Sequence, residues 1–209
     1  MTIPFKGEFT PEMMGQKISG LSVTDDKLVR SAFLERKPEE REATIAEHRE
    51  AKAYFHHLRD DYDIAVPDID IVIAKEGNEP VIYDVVDRVK GQEMALVKNF
   101  PPEALPEIDA FYANLLTSFR NDTLLGRPIW MDLGSDQLVY GRRKNETRDR
   151  VYIVDIENIL SDPDDEPARA LTSAIMRIER SMSTAEKKFP PGTRLERTRK
   201  LLEEIRDAK

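Results

Sequence analysis

The sequence predicts an α+β protein with a strand-rich first half and a mainly helical second half, and three observations carry that expectation. Short alternating or apolar runs bounded by turn residues lie on both sides of one long helical segment as far as Gly91, and a proline-rich junction, "NFPPEALP", follows. Beyond it, apolar residues recur at helical spacing.

Taken in order, "ISGLSV" and "KLVRSAFL" flank a turn at Thr24-Asp25-Asp26 and predict a hairpin over 18–34 with Arg30 in its second strand. The segment "KPEEREATIAEHREAKAYFHHLRDDY" has a proline near its start, acids in its first turn and no glycine, which predicts a long helix. Ala43, Ala46, Ala53, Tyr54 and Leu58 form its expected inward stripe, and Glu50 falls within that stripe, where an acid needs a partner. "VPDIDIVIA" and "VIYDVVDRV" around "EGNEP" predict a second hairpin. "KGQEM" then ends the sheet region at Gly91, with a boundary expected near 91–101. Leu105, Ile108, Tyr112, Leu115 and Phe119 mark a buried helix, "QLVYG" and "RVYIVDI" a further hairpin around a charged loop. Two closing helices carry Ala168, Leu171, Ile175, Ile178 and Met182, then Leu195, Leu201, Leu202 and Ile205. Thr193 and Glu196 match a capping box before the last of them.

Composition narrows the function classes. With 209 residues, 40% hydrophobic and 34% charged, the chain has material for one sizeable core or two small lobes. A net charge of −8 argues against general nucleic-acid binding or attraction of the whole surface to an anionic membrane. The absence of cysteine excludes disulfides, thiolate catalysis and cysteine-ligated zinc. No segment reaches the apolar length of a membrane span and the N-terminus lacks a secretory pattern, so a soluble, cytoplasmic chain is expected.

Three segments carry chemistry. "IWMDLGSDQLVYG" sets Asp132 five residues before Gln137, "VYIVDIENIL" ends an apolar run at Asp155, and "VIYDVVDRVKGQEM" runs a strand into a glycine-containing crossing. In this order the three resemble the catalytic loop, the metal-binding strand end and the inter-lobe hinge of the protein-kinase-like superfamily. The likeness is to its small bacterial aminoglycoside, lipopolysaccharide-core and RIO-type kinases, over about residues 18–185. The resemblance implies a bilobal kinase-like fold, with a reduced antiparallel-sheet N-lobe over 1–91 and a mainly helical C-lobe over 92–209. It implies Mg²⁺ and ATP as cofactors, and phosphate transfer to a hydroxyl of a small molecule or protein. Asp132 would orient or deprotonate the acceptor, while Gln137, Asp155 and Glu157 would supply oxygen ligands to the metal. Arg30 and Glu50 would pair to position nucleotide phosphates, and backbone groups of Val86, Asp87 and Val89 would meet the adenine edge.

The chain departs from the family pattern in four places. Gln137 stands where the family has Asn and is one methylene longer. Trp130 and Met131 replace the histidine before the catalytic acid, so packing would substitute for a polar tether. "MMGQKISG" is not a glycine-rich phosphate loop, and Arg30 replaces the strand lysine. These departures open a second reading, a catalytically inactive pseudokinase serving as an interaction module. The locally basic "GRRKNETRDR" reads first as a solvated turn and second as a dock for an acidic or phosphorylated partner over Arg142–Arg150. His48, His56 and His57 read as exposed helix residues rather than metal ligands.

Overall fold

The computed structural model describes residues 17–18, 21–23, 26–31, 38–76, 79–131, 133–154 and 167–207. Among the described residues, two antiparallel sheets and four α-helices make up a mixed α/β architecture. The first sheet has the order β1-β2-β3-β5-β4, formed by β1 (Lys17–Ile18), β2 (Leu21–Val23), β3 (Lys27–Ser31), β4 (Ile69–Glu76) and β5 (Glu79–Asp87). Both predicted hairpins are present, as β2 paired with β3 and β4 paired with β5.

Helix α1 (Pro38–Tyr62) enters between β3 and β4, in the long span expected of a glycine-free, acid-led segment. Its buried face keeps Tyr54 and Leu58 of the expected stripe but not the rest. Ala43, Ala46, Glu50 and Ala53 are exposed, whereas Ala51, Tyr54, Phe55 and Leu58 are buried. Alanine buries too little area to decide an orientation, and the large side chains turn the helix. The described ionic contacts of α1 with the first sheet are His48 to Asp84 at 2.9 Å and Lys52 to Asp70 at 3.6 Å.

The predicted end of sheet structure at Gly91 is also corrected. Lys90–Glu93 forms β6, the edge of a second sheet of order β6-β7-β8 with β7 (Leu138–Arg142) and β8 (Arg150–Ile153). Gly91 faces Gly141 in the register, and a Cβ on Gly91 would lie 2.3 Å from the Tyr140 carbonyl oxygen. The glycine serves close strand approach rather than termination.

Helices α2 (Leu105–Leu124), α3 (Pro167–Glu186) and α4 (Glu196–Asp207) complete the chain. The predicted stripe of α2 is buried at Ile108, Tyr112, Leu115 and Phe119, and the Tyr112 hydroxyl lies 2.7 Å from Ser181 Oγ on α3. The N-terminus of α4 is not closed by the expected capping box. The helix begins at Glu196, too late for Thr193 to cap it, and Asp109 of α2 accepts the Arg197 and Thr198 N–H groups at 3.0 and 2.9 Å. Glu186 of α3 accepts the Leu195 N–H at 2.9 Å, so tertiary neighbours take the orphan donors of the first turn. One contiguous core joins α1 and the inner residues Ile69 and Val86 of the first sheet to the second sheet and to α2, α3 and α4. No helix among the described residues is long and apolar enough to cross a membrane.

Candidate active site

The β7–β8 hairpin organises the site. Its register pairs Leu138 with Ile153, and beyond the strands the Val154 N–H donates to the Gln137 carbonyl at 3.0 Å. The half-buried Gln137 at the entrance to β7 therefore stands beside the last described residue before Asp155. Asp132, Asp155 and Glu157 lie outside the described residues.

The loop before β7 is held on several sides. Gln137 N–H donates to the Gly134 carbonyl at 3.2 Å, while Met94 and Ala95 N–H donate to the carbonyls of Leu138 and Ser135 at 2.7 and 3.1 Å. Lys188 donates to the Met94 and Ala95 carbonyls, tying the end of α3 to the same crossing segment. Burial of Lys188 lowers the pKa of its ammonium. Behind the loop, Trp130 is 1% exposed and meets Phe55 of α1 edge to face, with ring centroids 5.8 Å apart. Its backbone N–H donates to the Tyr54 hydroxyl at 3.2 Å, and burial raises that phenol well above its ordinary range. The sole tryptophan thus packs the loop against α1, the role its position suggested.

The strand leading into the crossing segment uses much of its polarity internally. Asp87 N–H donates to the Asp68 carbonyl at 2.9 Å and Arg88 N–H to the Asp26 carbonyl at 3.0 Å, while the Asp87 carboxylate pairs with Lys27 and lies 3.7 Å from Arg143. Val86 is buried and Val89 half-buried. A base edge in this segment would have to use Val89 rather than Asp87 or Arg88 N–H groups. Arg30 sits on β3 opposite Asp84, and its side chain lies outside the described residues. Glu50 is exposed with no ion-pair partner among the described residues, so the inward acid expected from the sequence is not delivered by α1. His48 meets Asp84 instead.

The histidines are not the exposed residues expected. His57 is clamped between acids, with Nδ1 2.6 Å from Asp61 and Nε2 2.9 Å from the fully buried Asp122. His56 is partly buried; its pKa is lowered first by desolvation and then by Arg59 and Lys52. Helical spacing puts Asp61 four residues from His57 on the same face but could not reveal Asp122, which comes from α2. Among the described residues no group of three or more such side chains gathers to hold a metal. Magnesium takes hard oxygen ligands, and an amide with two carboxylates is a donor set of that kind; Gln137 is its described member.

The basic hairpin tip is largely answered from within. Arg142 lies 3.8 Å from Asp149, Lys144 3.9 Å from Asp26, and Arg143 3.0 Å from Asp68 and from Glu146. Arg150 reaches Asp63 at 2.9 Å and Glu107 at 3.2 Å. Arg148 remains exposed without an acidic partner among the described residues. Sequence reading missed a groove of about 560 Å³ between the turn Leu133–Asp136 and α3, lined by Ser173, Met176, Arg177 and Arg180. The signal available was the polar side of α3, opposite its Ile175, Ile178 and Met182 stripe.

No family model and no curated protein matches the sequence. Among solved structures, the chain is similar to a microcompartment-associated aminopropanol kinase at 10% identity and a TM-score of 0.40, covering 87% of this chain and 78% of that one. It is also similar to APH(2")-IIia, in a complex with GDP and kanamycin, at 16% identity and a TM-score of 0.37, covering 93% and 86%. At this identity and TM-score the likeness lends the chain neither a substrate nor a cofactor.

Proposed function

We propose that the chain is a divergent kinase-like domain that transfers the terminal phosphoryl group of Mg-ATP to a hydroxyl of a small molecule or protein. The observation carrying this reading is the β7–β8 register, in which Gln137 and Val154 are joined main chain to main chain. In this register Gln137 shares a face with Val154. With the strand alternation ending after Val154, the acid that follows would join the amide in one cleft, between an N-lobe over 1–91 and a C-lobe over 92–209. Bound Mg-ATP supplies the transferable phosphoryl group and screens its charge. Asp132 would orient the acceptor hydroxyl and take its proton as the new P–O bond forms and ADP leaves. Gln137, Asp155 and Glu157 would hold the metal, and Val89 would meet the base. Arg30 would face the phosphates without help from Glu50, since that acid points to solvent.

A second reading, the inactive pseudokinase, draws on one observation: the described helix-to-sheet pairs are His48–Asp84 and Lys52–Asp70, and neither involves Glu50. Docking of an acidic partner at the hairpin tip would rest on Arg148 alone, because its neighbours already hold acids of this chain.

Thermal-shift titration with ATP, with and without Mg²⁺, separates the readings, since a ligand of the native state stabilises it by about RT ln(1 + [L]/Kd). A metal-dependent shift lost in Asp155→Ala is expected. Labelled-ATP turnover should fall by roughly 10²-fold or more in Asp132→Asn. Nucleotide binding with turnover unaffected by that change would sink the assignment of Asp132.

A further inference from the structure

We infer that the groove between the Leu133–Asp136 turn and α3 binds a hydroxylated small molecule carrying a carboxylate or phosphate group, with Arg177 and Arg180 holding the anionic end. The groove holds about 560 Å³, enough for a sugar-sized ligand, and its two walls differ in chemistry. One is the turn preceding Gln137, with Asp136 exposed; the other is α3, with Arg177 and Arg180 one turn apart.

The arginines are the informative pair. Neither has a carboxylate within ion-pair distance among the described residues, although the chain carries a net charge of −8. Elsewhere on α3, acids are matched across to α4: Glu179 pairs with Arg206, and Glu186 with Arg199. Like charges three residues apart repel by about 0.2–0.5 kcal/mol on a helix surface. No ion pair among the described residues offsets that repulsion, and a concave wall concentrates the resulting positive potential. Guanidinium groups match the planar fork of a carboxylate and the oxygens of a phosphate. Met176, 64% exposed, offers the carbon skeleton an apolar flank between them and Ser173. Asp136 on the opposite wall favours a hydroxyl over a second anionic group.

A ligand so placed would have its charge on α3 and its hydroxyl toward the turn that follows Asp132. Its fate as a phosphate acceptor rests on the phosphotransfer reading; its binding does not. Polycationic amino sugars are disfavoured by the same two arginines.

Calorimetric titration of the whole chain tests this with four probes: glucose 6-phosphate, glucuronate, glucose and kanamycin. The anionic sugars should bind, more weakly as salt rises, and glucose and kanamycin should not. Glucose 6-phosphate and glucuronate arms distinguish phosphate from carboxylate preference. Each arginine removed in R177Q and R180Q should weaken the anion by roughly tenfold or more, the size expected for a charge-assisted hydrogen bond. Both positions are exposed, so an unchanged thermal midpoint verifies folding. Kanamycin binding tighter than the anions, no anion binding, or anion affinity unchanged in R177Q/R180Q would each overturn the inference. Anion binding without a Mg-ATP thermal shift would uphold the anion site and defeat the phosphotransfer reading.

Discussion

The two ends of the β7–β8 hairpin are built in opposite ways. At the tip, charge meets charge of the same chain: Arg143 with Asp68 and Glu146, Arg150 with Asp63 and Glu107, and the Tyr152 hydroxyl donating to Glu146. At the mouth, main chain meets main chain at Gln137 and Val154, and the support behind is apolar, from Trp130, Leu133, Leu138 and Ile153. Partly solvated ion pairs contribute about 1 kcal/mol or less each, whereas buried aromatic and aliphatic groups contribute several. The tip links the second sheet to Asp26, Asp68 and Asp87 in and beside the first. The mouth is held by packing and by main-chain hydrogen bonds.

The largest expected effect lies at the mouth. Trp130→Ala should destabilise the chain by about 3–5 kcal/mol in denaturant unfolding, because its ring is buried against Phe55 and leaves a cavity that α1 cannot fill. A loss near that of a surface substitution would break the comparison. Gly141→Val, between mouth and tip, should cost about 1–3 kcal/mol, since its Cβ would lie 2.4 Å from the Lys90 carbonyl oxygen. Its effect should be independent of salt, and a steep salt dependence would mean that the tip charges, rather than strand approach, align β6.

Much of the fold was legible because periodicity reports burial of large side chains. The paired strands, α1, the α2 stripe and the β7–β8 hairpin all follow from it. What was not legible depended on partners distant in sequence. Glu50 was expected inward because alanines lay in line with it, yet Tyr54, Phe55 and Leu58 decide the rotation of α1. Lys90–Glu93 carries no apolar alternation, and its four residues are exposed, so only its hydrogen bonds to β7 make it a strand. Asp109 and Glu186 displaced the local capping box by reaching α4 from two other helices. At the candidate site, the sequence put Gln137 and the approach to Asp155 on adjacent strands. It could not show that Arg177 and Arg180 face the same loop from α3.

At the tip, Arg143→Gln should lower stability by about 1 kcal/mol at low salt, because one guanidinium serves Asp68 and Glu146. Most of that difference should disappear at molar salt, where the screening length falls to about 3 Å. A loss that persists would mean that its carbon stem packs as the mouth residues do.

The smallest effect is the pH dependence of the same cluster, and its sign follows from Glu146. Burial alone would raise this carboxyl, but hydrogen bonds from Tyr152, from the Arg143 N–H and from the Arg143 guanidinium outweigh it, so its pKa falls below the ordinary 4.5. A carboxyl lowered by folding contributes stability that is present above the unfolded value and is lost as pH falls through the folded one. The stability difference between the native chain and Glu146→Gln should therefore be level above pH 4.5 and shrink below it. Unfolding curves of both proteins across that window isolate the term from every other carboxylate, since those are common to the pair. If the difference instead grew on acidification, the hydrogen bonds would be favouring the neutral acid. The tip would then be held by a protonated carboxyl, and the contrast between an ionic tip and an apolar mouth would fail where it is most specific.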